Sequence, residues 1–432
     1  MKILDTNSSN FYSEFDTLLA RGAMDLKEAE KIVSNLLEEI KKDKNSAIKK
    51  HIEKFDKWIA KSDNELEISQ DEMKNAYDKL DEKLKNSLHL AYDRIKKYHE
   101  KQLPKSWLDY EENGIVLGQK VSAVDSAGLY IPGGKAAYPS SLLMNAIPAI
   151  VAGVKNIIVC TPAVNNELNS LLLAAMHICK IDKAFKVGGA SAIGAMAYGT
   201  ENIPKVDVIT GPGNIYVATA KKQVFGEVNI DMIAGPSEIG ILADESANAK
   251  YIAIDLLSQA EHDEMASSIL ITPDKNLAKN VLNEVQNYLK TLSRKEIASV
   301  SIKERGAIII TKDMAEAVDL MNKIAPEHLE VVTKNPFELL PLIKHAGAIF
   351  MGKYTPEPIG DYIAGPNHTL PTGGTAKFFS PLNVEHFMKK SSIISMSKSG
   401  ILEIGEACAN LAKTEGLSAH EESVKVRLKD LK

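Results

Sequence analysis

The chain of 432 residues is long enough for roughly two to four domains of about 150 residues each. Its 44% apolar and 25% charged residues are typical of a globular protein and exclude disorder over most of the chain. A formal net charge of −5 gives no electrostatic reason to expect nucleic acid as a partner, and three separated cysteines (Cys160, Cys179 and Cys408) exclude a disulfide scaffold.

The start of the chain gives no sign of targeting to a membrane or to export. Its first residues are polar and lack the apolar core of a signal peptide. The longest apolar region, residues 142–154, is interrupted by Asn145 and Pro148 and is shorter than the roughly 20 residues of a membrane span. The sequence therefore predicts a soluble, cytoplasmic protein with no membrane partner.

Two patterns divide the chain. Residues 13–103 have a helical pattern with solvated Lys and Glu faces. From about residue 120, short β-rich runs alternate with helices, which predicts parallel sheets with helices on both faces. The tail from about residue 382 is again helical in pattern. Buried strands are predicted at 156–161, 183–187, 206–210, 239–243, 268–272, 307–311 and 348–352, and helices at 140–151, 215–225, 247–261 and 314–324.

Three glycine-rich turns, at 130–134, 187–191 and 210–214, each lead into a predicted helix. Ligands bind at the carboxyl ends of parallel strands, and anionic groups bind at helix N-termini. The three turns together therefore favour a dinucleotide or phosphate site. None is a G-x-G-x-x-G motif, and each alone is also compatible with a tight turn that needs a positive φ.

Polar residues that could carry chemistry lie at the ends of two predicted helices. Gln259 and His262 are three residues apart, so both side chains could reach one metal ion. The alternative is a helix-terminal His262 that interacts only with the last carbonyl groups. Glu327 and His328 follow the helix at 314–324 and could form an acid/base pair or a surface turn.

Two further segments carry carboxylates and imidazoles. The loop 360–375 is rich in Gly and Pro and contains Asp361 and His368, which is more typical of a functional loop than of a spacer. Glu415 and His420 add one carboxylate and one imidazole near the end of the chain.

These motifs, in this order, resemble those of the histidinol dehydrogenase family. The resemblance extends over essentially the whole chain. It is carried by GLYIPGG at 128–134, TGPGN at 210–214, AGPSE at 234–238, SQAEH at 258–262, APEHLE at 325–330, GDYIAGPNHTLPT at 360–372 and EGLSAHEESVKVR at 415–427.

The resemblance implies a zinc-dependent, NAD-linked enzyme of histidine biosynthesis. Such an enzyme oxidises L-histidinol through L-histidinal to L-histidine, with one zinc ion per subunit and two NAD⁺ used per turnover. The implied zinc ligands are Gln259, His262, Asp361 and His420, and the implied acid/base pair is Glu327 and His328. Implied substrate contacts are Ser237, Gln259, His262, His328, Asp361, Glu415 and His420, and implied cofactor contacts are Tyr130, Ser191 and Asn214.

Ser191 departs from the family pattern, which often has glutamine at this position. Serine is shorter and offers no carboxamide, so a direct cofactor contact at Ser191 is the least supported of these assignments.

The resemblance also implies the architecture: an α/β protein with two related, incomplete Rossmann-like domains with parallel sheets, plus small N- and C-terminal helical segments. One domain, residues 130–237, would bind NAD. The other would combine 26–129 with 238–381 and carry most metal and catalytic residues. The segments 1–25 and 382–432 would form small parts that exchange in an intertwined homodimer, in which Glu415 and His420 complete the partner's site.

The chemistry of these residues is compatible with the implied roles. Two imidazoles, one carboxylate and one amide oxygen suit Zn²⁺, although Mn²⁺ or Co²⁺ could also bind. His328 would accept the hydroxyl proton as hydride leaves, and Glu327 would activate a water that attacks the aldehyde. Packing, not catalysis, is the expected role of the cysteines.

Three other functions are compatible with parts of the pattern. A related zinc/NAD dehydrogenase could act on another polar alcohol such as sulfopropanediol, but the intact EGLSAHE segment favours histidinol. A metal-dependent hydrolase would have no use for the three glycine turns. A two-domain binding protein would have no use for the acid/base pair.

Overall fold

The computed structural model describes residues 1–20, 27–133 and 138–431. Its helices are α1 (Phe11–Ala20), α2 (Lys27–Phe55), α3 (Gln70–Asp78), α4 (Glu82–Glu100), α5 (Pro139–Ala152), α6 (Ser170–Ile178), α7 (Gly189–Tyr198), α8 (Ile215–Val224), α9 (Ala249–Ala260), α10 (Lys275–Tyr288), α11 (Lys295–Arg305), α12 (Met314–Ile324), α13 (Glu357–Ile359), α14 (Lys398–Thr414) and α15 (Ser418–Leu431). Its strands are β1 (Lys2–Asp5), β2 (Trp107–Tyr110), β3 (Val116–Ala123), β4 (Ser126–Tyr130), β5 (Asn156–Cys160), β6 (Lys183–Phe185), β7 (Val208–Thr210), β8 (Asn229–Ile230), β9 (Glu238–Ala243), β10 (Ser267–Thr272), β11 (Ala307–Ile310), β12 (His328–Val332), β13 (Ala348–Met351) and β14 (Met388–Ser395).

Contacts between residues divide the chain into two compact units. The first unit comprises residues 1–102 and 125–387, and the second comprises 103–124 and 388–432. The first unit contains two parallel sheets and their helices. The second contains an antiparallel sheet in the order β14-β3-β2 and the helices α14 and α15, which pack against each other.

The two parallel sheets of the first unit share one strand order. The five-stranded sheet has the order β6-β5-β4-β7-β8, and the six-stranded sheet has the order β1-β11-β10-β9-β12-β13. If β1 is set aside, both sheets follow the order 3-2-1-4-5 along their own stretch of chain, which is a doubly wound sheet without its last strand. The predicted pair of related, incomplete Rossmann-like folds is therefore confirmed. The strand order reverses between β4 and β7 in one sheet and between β9 and β12 in the other.

Continuous burial explains why these strands were recognisable from sequence. Every residue of β10, β11 and β12 is buried, as expected for parallel strands covered on both faces. On the five-stranded sheet, α2 packs so closely on α7 that a Cβ at Gly194 would lie 2.8 Å from Leu37 Cδ2. The helix α2 thus shares a hydrophobic core with that sheet.

All the strands and helices predicted from residue 140 onward are present, with ends that differ by a few residues. Asp313 caps α12 by accepting a hydrogen bond from the Glu316 N–H at 2.8 Å. The C-terminal segment is helical from Lys398, but it also contains β14, which pairs along its whole length with β3 and was not predicted. At the other end, β1 adds a parallel edge strand to the six-stranded sheet. The division into domains predicted from the family stays a prediction.

Within the three described ranges, no helix is both long enough and apolar enough to cross a membrane.

Candidate active site

The predicted acid/base pair lies where the chain enters β12. Ala325 ends α12 in the left-handed region, with φ 51°, an uncommon conformation for a residue with a Cβ. This turn places Glu327 just before the strand and His328 at its first position, beside the start of β9. The pair therefore occupies a helix-to-strand corner, as predicted. It lies at the amino edge of the six-stranded sheet, whereas ligands of doubly wound sheets usually bind at the carboxyl edge.

His328 is buried, and both of its ring nitrogens face oxygen atoms. Nδ1 lies 3.2 Å from the Glu238 carbonyl oxygen, and Nε2 lies 3.3 Å from Asp361 Oδ1. Burial opposes a charge on the ring, but the carboxylates of Glu327 and Asp361 outweigh it and raise the pKa of His328 to about 10. In this state the protonated ring donates a hydrogen bond from each nitrogen.

Glu327 is buried beside His328, with its Oε2 atom 3.7 Å from Nδ1 of the ring. The same oxygen accepts a hydrogen bond from the Glu238 N–H at 2.9 Å. Burial raises the pKa of Glu327 to about 7, although His328 acts in the opposite direction. A carboxyl group with this pKa is suited to general acid/base catalysis near neutral pH. Ser237, a predicted substrate contact, precedes β9 and lowers the pKa of the predicted base.

Glu357 is a site residue that the sequence analysis missed. One ligand atom from each of His328, Glu357 and Asp361 lies within 4.8 Å of the other two, so these three residues form a candidate metal-binding group. The Glu357 side chain is buried, accepts a hydrogen bond from the Ser258 hydroxyl at 3.2 Å and lies beside the Asp361 carboxylate. Its spacing of four residues from Asp361, about one helical turn, was the available signal.

Of the two neighbouring carboxyl groups, Glu357 and Asp361, it is Asp361 that carries the negative charge. Burial, together with the neighbouring Asp361, raises the pKa of Glu357 to about 8. The pKa of Asp361 is instead held below its usual range, because hydrogen bonding and charge attraction from His328 outweigh the effect of burial. Asp361 is therefore the ionised member of the pair, and an ionised carboxylate is the form that binds a metal cation.

Gln259 and His262 are brought together at the end of α9, as predicted. Gln259 is completely buried, and its Nε2 atom lies 3.4 Å from His262 Nδ1. Its Oε1 atom is buried and has no hydrogen-bond partner among the described residues. A buried oxygen atom without a hydrogen-bond donor costs folding free energy unless a ligand binds to it. Desolvation lowers the pKa of His262, which favours the neutral, metal-binding ring, and Asp361 acts on it electrostatically. These residues fit a metal ion.

Glu415 and His420 lie in the second unit. Glu415 is at the end of α14, and His420 is in the first turn of α15. Both side chains are exposed. Their participation in the site stays a prediction.

The three predicted cofactor residues lie at the carboxyl edge of the five-stranded sheet. Tyr130 ends β4, and its hydroxyl accepts a hydrogen bond from the Gly189 N–H at 3.2 Å. Asn214 is exposed and caps α8, with its Oδ1 atom accepting the N–H of Tyr216 at 3.1 Å. The hydroxyl groups of Thr161 and Thr210 at the same edge are buried and lack partners within the described ranges. The last residue of the first glycine turn, Gly134, lies outside the described residues, as do residues 135–137 that follow it.

Ser191 is buried in the first turn of α7 and is not freely available to a cofactor. Its Oγ atom lies 2.9 Å from His51 Nδ1, while His51 Nε2 lies 3.2 Å from a carboxylate oxygen of Glu39. The hydroxyl at this position is therefore already engaged by a neighbouring helix, α2.

The segment predicted as a loop at 360–375 begins as a short π-helix at Gly360–Ala364 and contacts both the acidic site and helix α5. Asp361 and His368 are both in this segment, and His368 Nδ1 lies 2.8 Å from the Asp361 carbonyl oxygen. On its other side, His368 Nε2 lies 3.4 Å from the hydroxyl of Ser141 in α5, the helix that follows the first glycine turn. Asn367 donates a hydrogen bond to the Met144 carbonyl oxygen of the same helix at 2.6 Å. This segment thus contacts the acidic site at one end and helix α5 at the other.

Comparison with known proteins identifies the family. Residues 19–428 match the family model described as histidinol dehydrogenase. The chain belongs to the histidinol dehydrogenase family. The resemblance found in the sequence is therefore confirmed.

Individual members of this family are similar over their whole length. The chain is 68% identical over 423 residues to the histidinol dehydrogenase of Sulfurimonas denitrificans, with 98% of each chain covered. It is 66% identical over 428 residues to that of Wolinella succinogenes, with 99% of each covered. The crystal structure of histidinol dehydrogenase from Elizabethkingia anophelis matches with a TM-score of 0.93 at 36% identity, covering 100% of this chain and 98% of that one.

Proposed function

We propose that this chain oxidises L-histidinol through L-histidinal to L-histidine, with NAD⁺ as the hydride acceptor in both steps. The observation that carries the proposal is the buried Glu327–His328 pair beside a donor set with an unpartnered amide oxygen on Gln259. The family and its relatives support the same reaction. They do not favour another polar alcohol such as sulfopropanediol.

The proposed metal ligands are Gln259, His262 and Asp361, completed by His420 of the partner subunit. A zinc ion held by these nitrogen and oxygen atoms would orient the amino alcohol and the imidazole of the substrate. Glu357 supports this set because its buried carboxyl group lies within 4.8 Å of the Asp361 carboxylate. We propose one zinc ion per subunit.

Proton transfer in the first step is assigned to His328. The alcohol loses a proton to the ring and a hydride to NAD⁺, which gives the aldehyde and NADH. A ring that accepts a proton must start neutral, whereas the direct contact with ionised Asp361 favours the protonated ring. That stabilisation is weakened once Asp361 binds a cation, which would bring the pKa of His328 closer to the working pH.

The second step needs water and a base, and we assign the base to Glu327. Water adds to the aldehyde as Glu327 takes its proton, and the resulting hydrate anion loses its hydroxyl proton to a neutral His328 and a hydride to a second NAD⁺, which gives the carboxylate and NADH. The pKa of about 7, caused by burial, allows the carboxylate to be present at neutral pH. Tyr130 and Asn214, at the edge where the strand order reverses, are the proposed cofactor contacts, and Ser191 a weaker one.

We further propose a homodimer that shares its active sites. Support comes from exposed apolar side chains in the second unit, among them Trp107, Tyr110, Ile394 and Leu411. Apolar surface of this kind marks an interaction site, and closed dimers are the commonest oligomers. Glu415 and His420 belong to the same unit. We also propose that the protein is located in the cytoplasm, where NAD⁺ is available for histidine biosynthesis.

Removal of the metal should abolish this activity. Purified protein should form NADH from histidinol and NAD⁺, lose that activity after dialysis against a chelator, and regain it when zinc is added back. Sulfopropanediol at the same concentration should give no NADH. The measurement is NADH absorbance together with metal content by mass spectrometry. Full activity in metal-free protein, or faster turnover of sulfopropanediol, would contradict the proposed function.

A further inference from the structure

A buried ion pair lies beneath the third glycine turn. Lys221 of α8 and Asp231, which follows β8, contact each other with only 3% and 0% of their side chains exposed. Neither residue belongs to the proposed catalytic or metal-binding set. A buried ion pair adds little to the stability of a fold, because the cost of desolvating the two charges cancels much of their attraction. We therefore examine which groups the two side chains contact.

The pair holds both polar backbone groups of one glycine. Asp231 Oδ2 accepts the N–H of Gly211 at 2.9 Å, and Lys221 Nζ donates to the carbonyl oxygen of Gly211 at 3.0 Å. The Asp231 N–H in turn donates to the Ile209 carbonyl oxygen of β7 at 3.2 Å. The peptide groups at the start of the turn are therefore fixed on both sides, where buried backbone groups would otherwise lack partners.

Gly211 lies at the point where the strand order of the five-stranded sheet reverses. Its φ is +123°, and a Cβ atom there would lie 2.0 Å from the carbonyl oxygen of Tyr130, so only glycine is accommodated. The turn runs from Gly211 to Asn214, the residue that caps α8. This crevice, between the ends of β4 and β7, is where doubly wound sheets bind dinucleotides.

We propose that Lys221 and Asp231 are positioning residues for the dinucleotide. They hold the turn 211–214 in its binding shape, so that Asn214 and the N-terminus of α8 are already in place when the cofactor arrives. A preformed loop binds more tightly because less of the binding energy is spent on ordering it. This inference rests on the proposed function only in that the bound dinucleotide is NAD⁺.

Two variants test the inference. Asp231→Asn keeps an acceptor for the Gly211 N–H but removes the charge. The double variant Lys221→Met/Asp231→Asn removes both charges, and so leaves no buried charge unpaired. The matched control is Lys205→Met, which breaks an exposed ion pair with Glu227, 3.1 Å long, with about half of each side chain exposed. NAD⁺ binding is measured by calorimetry on the full-length protein, alongside KM values for NAD⁺ and histidinol and the zinc content.

The expected result is a selective loss of cofactor affinity. NAD⁺ should bind roughly tenfold more weakly to the double variant, the effect of losing one charge-assisted hydrogen bond, and about threefold more weakly to Asp231→Asn. The KM for histidinol and the zinc content should stay within about twofold of the parent, and Lys205→Met should match the parent throughout.

Three results would overturn the inference. The first is NAD⁺ binding within twofold of the parent in both variants; if one of the two variants does not fold, unchanged binding in the other alone is sufficient. The second is an equal loss of affinity for NAD⁺ and histidinol, which would indicate a purely structural ion pair. The third is a parent protein that does not bind NAD⁺ at all, and that result would also remove the proposed function.

Discussion

Histidinal oxidation should slow much more than histidinol oxidation in a Glu327→Gln variant, whereas His328→Asn should slow both half-reactions. Glutamine keeps the size of Glu327 and an acceptor for the Glu238 N–H, but it cannot take a proton from water. Only the aldehyde step needs that water. Loss of the His328 base should cost roughly 10²–10⁴-fold, the range typical of general acid/base groups. Each half-reaction is measured separately, starting from histidinol or from histidinal.

The pH dependence of histidinal oxidation is a second test of the role of Glu327. Glu327 works as a base only when ionised, so histidinal oxidation by the parent should rise as the pH passes through about 7. This rise should be absent in Glu327→Gln. Glu338→Gln, at an exposed position, serves as the matched control and should behave like the parent. If Glu327→Gln slows both steps equally, the division of roles between Glu327 and His328 is wrong.

Two inactive variants, His262→Asn and His420→Asn, should restore activity when they are mixed and refolded together. His262 lies in the first unit and His420 in the second. If His420 serves the partner's site, one site of a mixed dimer receives both substitutions and the other receives neither. Random exchange gives about half mixed dimers, each with one intact site of two, so roughly a quarter of the parent activity should return.

Dimer exchange in that experiment has to be verified by native mass spectrometry of chains with different masses. Each variant refolded alone is the control and should stay inactive. Should His420 serve its own subunit, every site in every dimer would carry one substitution and mixing would restore nothing. A lack of recovery with exchange verified would therefore exclude the shared site, while the assigned chemistry would stand.

Much of the fold could be predicted because its strands are buried on both faces. Segments such as 239–243 and 307–310 are short, continuous apolar runs between helical patterns, which is the local signature of a parallel strand. By contrast, β14 is mostly exposed and exists through its pairing with β3, more than 250 residues earlier in the chain. A pairing so distant in sequence leaves no local pattern.

In the candidate site, too, residues close together in sequence could be predicted, whereas contacts between distant segments could not. Gln259 with His262, and Glu327 with His328, were visible as close spacings within one segment. The involvement of Glu357 depends on its contact with Asp361, and that of Glu238 on the pairing of β9 with β12. Sequence rules also favoured the carboxyl edge of a sheet for chemistry, whereas Glu327 and His328 lie at an amino edge.

The most direct test of the two-step oxidation is the number of NADH molecules formed per histidinol consumed. Purified protein is given a limiting, known amount of histidinol with excess NAD⁺, and NADH, histidinal and histidine are quantified when the reaction ends. If one site carries the alcohol through the aldehyde to the acid, two NADH and one histidine should form per histidinol, with no free histidinal accumulating. A ratio of one NADH, with histidinal released into solution, would contradict the proposed mechanism.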